Sequence, residues 1–257
     1  MLEEEIKKWL GTDRLKLRIF DQYFHLNAKE IIDLNFSLKF FILTSLEQEI
    51  NINSRIKKNK NQVSPGIEAG ALNKEIRRLI CLKEESIFEK EKNKNLFYPL
   101  VGKIAGFDFA LINNIKNLIS IRNLYLGEEK IDVLGKKWYK DLGGNLEFIK
   151  LAKIYDLDEF FEGENQLLAN DDLNDKPLIV GDIQFGNWAL VYKDFFKLFK
   201  TDVLNSIDCL IYIVPTNNLF NYLSDGIVNF TETKKILKEF DKAIPIPVWL
   251  IGLDVDL

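Results

Sequence analysis

The pattern of apolar and polar positions is most regular in the last third of the chain. Pro177-Leu178-Ile179-Val180-Gly181 is a short continuous apolar run, and Cys209-Leu210-Ile211-Tyr212-Ile213-Val214-Pro215 and Pro247-Val248-Trp249-Leu250-Ile251-Gly252-Leu253 are of the same type. Runs of this length, rich in β-branched residues and without alternation, predict strands buried on both faces. Between them, Ala189 to Phe199 and Thr231 to Phe240 read as helices. Strand, helix, strand, helix, strand in this order predicts an α/β fold with helices packed on a central sheet.

Upstream the period changes. Ala28 to Ile50 carries Ile31, Ile32, Leu34, Leu38, Phe41 and Leu46 and no proline. The first 50 or so residues therefore read as helical, and residues 1–62 as a helical N-terminal layer. The polar stretch Asn51 to Gln62 leads to Ser64-Pro65-Gly66, which reads as a loop. Ala69 to Leu82 predicts a helix with Leu72, Ile76, Leu79 and Ile80 on one face. Leu96 to Ile112, broken by Pro99, Gly102 and Gly106, predicts two short extended pieces, the second being Gly106-Phe107-Asp108-Phe109-Ala110-Leu111. Residues 113–175 are mixed, with a helical stretch near Leu146 to Ile154 and a turn-rich run from Asn170 to Asp175. They read as an inserted subdomain within a single domain spanning 1–257.

Composition narrows the chemistry. Charge interrupts every apolar run before about 18 residues, so no segment reads as a membrane span. Met1 to Lys8 lacks the apolar stretch of a secretory signal, and a cytoplasmic location is expected. Two cysteines, Cys81 and Cys209, and one histidine, His25, provide neither a structural zinc set nor an evident histidine-based triad. Hydrolytic chemistry would then rest on carboxylates and a metal. The net charge of −4 argues against indiscriminate coating of nucleic acid, but Arg55 to Lys103 holds 12 Lys and Arg against 6 Glu. That segment, including Lys57, Lys58 and Lys60, reads either as a polyanion-binding surface or as an ordinary solvated one.

The sharpest feature is Val180-Gly181-Asp182-Ile183-Gln184-Phe185-Gly186-Asn187, where Asp182 and Gln184 project to one side of an apolar strand. Two polar groups on a buried face need partners or a metal, because an unpaired buried charge is costly. The Asp182 carboxylate and Ile183 carbonyl are adjacent hard oxygens of the kind magnesium prefers. The alternative is that Asp182 only ends a strand.

These residues resemble a family: the BglII and BamHI type of type II restriction endonucleases, within the PD-(D/E)xK nuclease superfamily. The resemblance runs from about Pro177 to Leu253, through Asp182-Ile183-Gln184, Gly186-Asn187, the helix with Lys193, Ile213-Val214-Pro215, Tyr222 to Phe230, and Ile251-Gly252. It implies a restriction-endonuclease-like mixed central sheet flanked by helices, and a homodimer that cuts duplex DNA at a specific sequence using Mg²⁺. Asp182 resembles the second acidic metal ligand, and Gln184 stands where most of the superfamily has lysine. The first acidic ligand would lie on the preceding strand. Asp108 has that context but requires the 113–175 insertion, whereas Asp171, Asp172 and Asp175 are nearer but sit in a turn-like run. Glu75 resembles an additional acidic residue of some members. Ser224 and Asp225 lie where the pattern approaches base edges, with Gly226 in place of an arginine, although Asp-Gly alone would explain a turn. Asn187 and Lys193 are candidate phosphate or base contacts. The runner-up is a noncatalytic nuclease-like protein binding DNA or another protein.

Overall fold

The computed structural model of the chain describes residues 3–59, 62–80, 86–87, 107–111, 177–205 and 207–256. The order of elements is α1 (Glu3–Leu10), β1 (Arg14–His25), α2 (Ala28–Leu34), α3 (Phe36–Ser45), β2 (Glu49–Asn51), β3 (Ser54–Asn59), β4 (Gln62–Ile67), α4 (Ala69–Ile80), β5 (Ser86–Ile87) and β6 (Phe109–Leu111). After residue 177 come β7 (Ile179–Ile183), α5 (Leu190–Asn205), β8 (Cys209–Pro215), α6 (Asn217–Tyr222), α7 (Phe230–Glu239) and β9 (Val248–Asp256).

Seven strands form one sheet in the order β2-β1-β9-β8-β7-β6-β5, and β3 with β4 forms a separate two-stranded sheet. β7, β8 and β9 are parallel, as crossovers through helices require, while β6 and β1 join antiparallel on either side. The expected mixed α/β sheet is therefore present. The three central strands are buried at nearly every position because helices cover both faces.

Alternation along β7 and β8 divides two apolar layers. Ile179, Ile183, Cys209, Ile211 and Ile213 face the layer holding α2, α3 and α4. Val180, Leu210, Tyr212 and Val214 face the layer holding α5 and α7. Asp182 falls in step with Val180 and is paired in register with Tyr212, which places it under α5.

The N-terminal expectation needs correction. Residues 14–25 form a 12-residue strand, not a helix. Leu15, Leu17 and Ile19 alternate with Arg14, Lys16 and Arg18, a period of two suited to a sheet whose second face is partly exposed. The run from 28 to 50 does begin helical, but Asn35 divides α2 from α3, its side chain donating to the Ile31 carbonyl at 2.7 Å. The run then ends in β2, which pairs with Arg14 to Lys16.

The supposed loop from 51 through Ser64-Pro65-Gly66 contains the β3–β4 hairpin, with Lys57 opposite Ser64 and Ile56 opposite Pro65. Polar composition concealed it because only a small part of this ribbon is buried. Trp9 secures it from α1, its indole N–H donating to the Arg55 carbonyl at 2.9 Å and the Gly66 carbonyl at 3.2 Å. Pro65 is tolerated because a two-stranded ribbon leaves outer edges free of ladder bonds.

β6 and β7 are antiparallel neighbours, so residues 112–178 connect them. The insertion expected at 113–175, the helix near 146–154 and the first extended piece after Leu96 lie outside the described residues.

Candidate active site

At the start of β6 the Asp108 N–H donates to the Gly181 carbonyl at 2.9 Å, and the Ile183 N–H donates to Asp108 Oδ2 at 2.8 Å. The two bonds seat Asp108 beside Asp182 on the neighbouring strand, although 75 residues separate it from Ile183. Its second carboxylate oxygen accepts from Arg77 of α4. Both aspartates are buried, at 5% and 6% exposure.

Over them lies α5. Asp194 and Lys197 sit one turn apart on the face that also carries Val191, Phe195 and Leu198, a polar pair within an apolar stripe. The Lys197 ammonium donates to Asp182 Oδ2 at 2.5 Å, lies 3.5 Å from Asp194 Oδ1, and stands 4.6 Å from the centroid of the Phe107 ring. Asp194 Oδ2 accepts from Gln184 Nε2 at 2.7 Å and from the Tyr212 hydroxyl at 2.9 Å. Gln184 Oε1 in turn accepts from the Gly186 N–H at 2.9 Å. Both ends of the Gln184 amide are thus held, with one N–H left to give.

Burial pushes the Asp182 carboxyl well above the usual carboxylate range; Lys197 opposes this, and the charges of Asp108 and Asp194 reinforce it. Asp108 is also raised, again chiefly by burial, against the pull of Arg77, the Ile183 N–H and Lys197. Burial disfavours the charged form of Lys197, but Asp182 and Asp194 outweigh it and raise the pKa. Burial is the largest cause for both aspartates and neighbouring carboxylates add to it, an imbalance that a further cation would relieve.

Among the described residues there is no cluster of three or more His, Cys, Asp or Glu placed to hold a metal. Magnesium commonly takes only one or two carboxylates, completing its shell with water and substrate phosphate. The paired oxygen donors of Asp108 and Asp182, raised in pKa chiefly by burial, fit that chemistry.

The model for the family "Restriction endonuclease BglII/BglIII" matches residues 20–253. The chain belongs to this family. It is accordingly a site-specific deoxyribonuclease by descent, with the restriction-endonuclease type of mixed sheet flanked by helices. A crystal structure of restriction endonuclease BglII complexed with a DNA 16-mer aligns at 12% identity and a TM-score of 0.49, covering 94% of this chain and 79% of that one. No curated protein matches the chain. Among the described residues, no helix is long and apolar enough to cross a membrane.

Of the residues the sequence nominated in this family member, Asp108, Asp182, Ile183 and Gln184 come together. Glu75 does not join them in any described contact. Its carboxylate accepts from the Asn51 N–H and side-chain amide at 3.4 Å and from Arg78 at 3.2 Å, tying α4 to β2. Its neighbour Arg77 is the group that reaches Asp108. Asn187 lies in the turn before α5, its Oδ1 accepting from the Ala189 N–H at 2.9 Å. Lys193 is exposed on α5.

Lys57, expected to be available for phosphate, is turned inward. It donates to the carbonyls of Asn221 at 2.7 Å and Leu223 at 2.8 Å, at the C-terminal end of α6, where a cation also complements the helix dipole. Arg55 donates to the Ser224 hydroxyl at 2.9 Å, and Lys57 lies 3.9 Å from Asp225. The hairpin and the Ser224-Asp225-Gly226 loop therefore form one surface. Lys58 is exposed, whereas Lys60, Asp171, Asp172 and Asp175 lie outside the described residues.

Sequence reasoning missed Arg77, Asp194, Lys197 and Tyr212. The available signal was Asp194 and Lys197 at helical spacing inside the apolar face of α5.

Proposed function

We propose that this nuclease cleaves duplex DNA at a specific sequence in a magnesium-dependent reaction, with Asp108 and Asp182 as the metal-binding carboxylates. The observation that carries the reading is the convergence of two buried carboxylates with raised pKa on adjacent strands, beside a pinned side-chain amide. A bound divalent ion would polarise the scissile phosphate and lower the pKa of the attacking water. Gln184, fixed at both ends, offers its remaining N–H to orient that water. Asp194 holds Gln184 in this orientation. Arg77 offsets the charge of Asp108 and keeps its carboxylate turned toward Ile183.

Cutting both strands requires two such sites, so the active species in this reading is a homodimer acting in the cytoplasm. The joint surface of the β3–β4 hairpin and residues 224–226 approaches the bases, with Asp225 able to accept from a cytosine amino group. Lys58 and Lys193 supply phosphate contacts.

Incubating the protein with long DNA and Mg²⁺ and sequencing the fragment ends tests the reading. Ends sharing one sequence, lost with a chelator and lost in Asp182→Ala while the fold persists, are expected. Undiminished cleavage by Asp182→Ala would remove the site from β7. DNA binding without cleavage would favour a noncatalytic role.

A further inference from the structure

A buried ammonium group is expensive to keep charged, and a leucine or methionine at position 197 would pack the helix onto the sheet without that cost. Lys197 is nevertheless 3% exposed, and its stem runs from α5 to the one place on the sheet where Asp108 and Asp182 lie side by side. It holds three groups there at once: Asp182 at 2.5 Å, Asp194 at 3.5 Å and the face of Phe107 at 4.6 Å. Asp194 is itself engaged by Gln184 and Tyr212, so Lys197 is not its sole support. A lysine serving only to neutralise Asp194 would not have to reach Asp182.

We propose that Lys197 is a catalytic residue of the nuclease, its ammonium leaving Asp182 to hydrogen-bond a non-bridging oxygen of the scissile phosphate. The inference rests on the assignment of Asp108 and Asp182 as the metal-binding pair. Two cations then share the work at different times. Without metal, Lys197 is the counter-ion of Asp182. With metal and DNA bound, Asp108 and Asp182 would hold the metal, and the Lys197 ammonium would be released to the phosphate, where negative charge builds up as water adds to phosphorus. The P–O3′ bond breaks, the water oxygen stays on phosphorus, and the proton it sheds balances the one taken up from solvent by the leaving 3′ oxygen. Lys197 keeps its protons throughout.

The arrangement predicts opposite signs for two measurements. Lys197 competes electrostatically with a divalent cation at Asp182, so Lys197→Met should bind Mg²⁺ more tightly without DNA. This is read from the MgCl₂ concentration that half-saturates the rise in melting temperature. The same variant should cut DNA more slowly at saturating Mg²⁺, by about 10²- to 10³-fold, the usual loss when one donor to a developing oxyanion is removed. Lys197→Arg, which keeps a cation, should recover part of the rate. A purely structural lysine would give the opposite result: Lys197→Met with a wild-type rate, or a rate fully restored by raising Mg²⁺, overturns the proposal. Should Lys197→Met fail to fold, Lys197→Gln, which keeps a donor for Asp182 but no charge, is read by the same criteria. Asp182→Ala in the same assay separates the two levels. If Asp182→Ala cuts normally, the site assignment itself is wrong; if it is inactive while Lys197→Met is normal, only the role of Lys197 fails.

Discussion

Gly181 offers a perturbation whose consequence can be worked from the structure. It lies on β7 between the strand-paired Val180 and Asp182 and is the cross-strand partner of Phe109 on β6. A Cβ added at Gly181 would fall onto the Phe109 ring, meeting its Cζ, Cε1 and Cε2 atoms. Phe109 is 1% exposed, so the ring has no solvent to turn into. Gly181→Ala should cost about 3 kcal/mol, the upper end of the usual overpacking penalty, because backbone and ring must both shift. For a chain of this size that is a fall in melting temperature of roughly 6–12 °C. Cleavage should suffer more than stability does, since the displaced strand carries Asp108 and its bonds to Gly181 and Ile183. A double-mutant cycle with Phe109→Ala isolates the cause. Phe109→Ala alone should cost about 3–5 kcal/mol through its cavity, and the added methyl should then be accommodated, giving a favourable coupling of at least about 1 kcal/mol. Differential scanning calorimetry of the four proteins measures it. Additive costs, or a Gly181→Ala protein that melts like the wild type, would refute the packing argument.

Three further outcomes follow from the same contacts. Asp182 has a raised pKa in the folded state, so the metal-free protein takes up protons on folding and this group's cost appears as pH rises from about 4 through the raised value. Asp182→Asn cannot ionise, and should lose less stability than the wild type as the pH rises above about 4; parallel melting curves would contradict this. Burial pushes the Cys209 thiol up to about 12, so in a Cys81→Ser background a disulfide reagent should label it only in denaturant, and rapid labelling of the native protein would show that β8 opens readily. Lys57→Met should cost about 1 kcal/mol by uncapping α6 and should relax sequence choice, whereas Lys58→Met should weaken binding to all DNA alike; library cleavage by the two variants separates the effects.

How much was legible in the sequence differs along the chain for physical reasons. β7, β8 and β9 are buried on both faces, and their uninterrupted apolar runs could mean little else. Both helices between them were legible from their apolar stripes; α7 falls within a residue of the bounds read from the pattern, whereas α5 runs on to Asn205, six residues past the Phe199 expected. β1 was misread because its flanks bias the eye toward helix, although Leu15, Leu17 and Ile19 carry the alternation. The β3–β4 hairpin has almost no apolar signature, since its attachment rests on Trp9 and on Lys57 and Arg55 reaching main-chain and hydroxyl groups. Asp182 and Gln184 were visible because two polar residues share one face of a buried strand. Lys197 was passed over because a lysine in a helix is ordinarily a surface residue, and its place with Asp194 inside the apolar face of α5 was the one sign that it turns inward.

The separation of Asp108 from Asp182 in sequence has little bearing on how well the pair is held. Antiparallel neighbours need only a connection, and the entropy of closing a flexible one grows slowly, by about 0.6 kcal/mol for each doubling of length. The strands themselves make the first part of the hold. The Phe109 ring over Gly181 sets the spacing and register of β6 against β7, the Asp108 N–H bonds to Gly181, and the Ile183 N–H turns the Asp108 carboxylate toward Asp182. From the helices, α4 sends Arg77 to the same carboxylate, and α5 sends Lys197 to its neighbour. Asp108 is thus held from both β7 and α4, and Asp182 from α5, by short-range contacts.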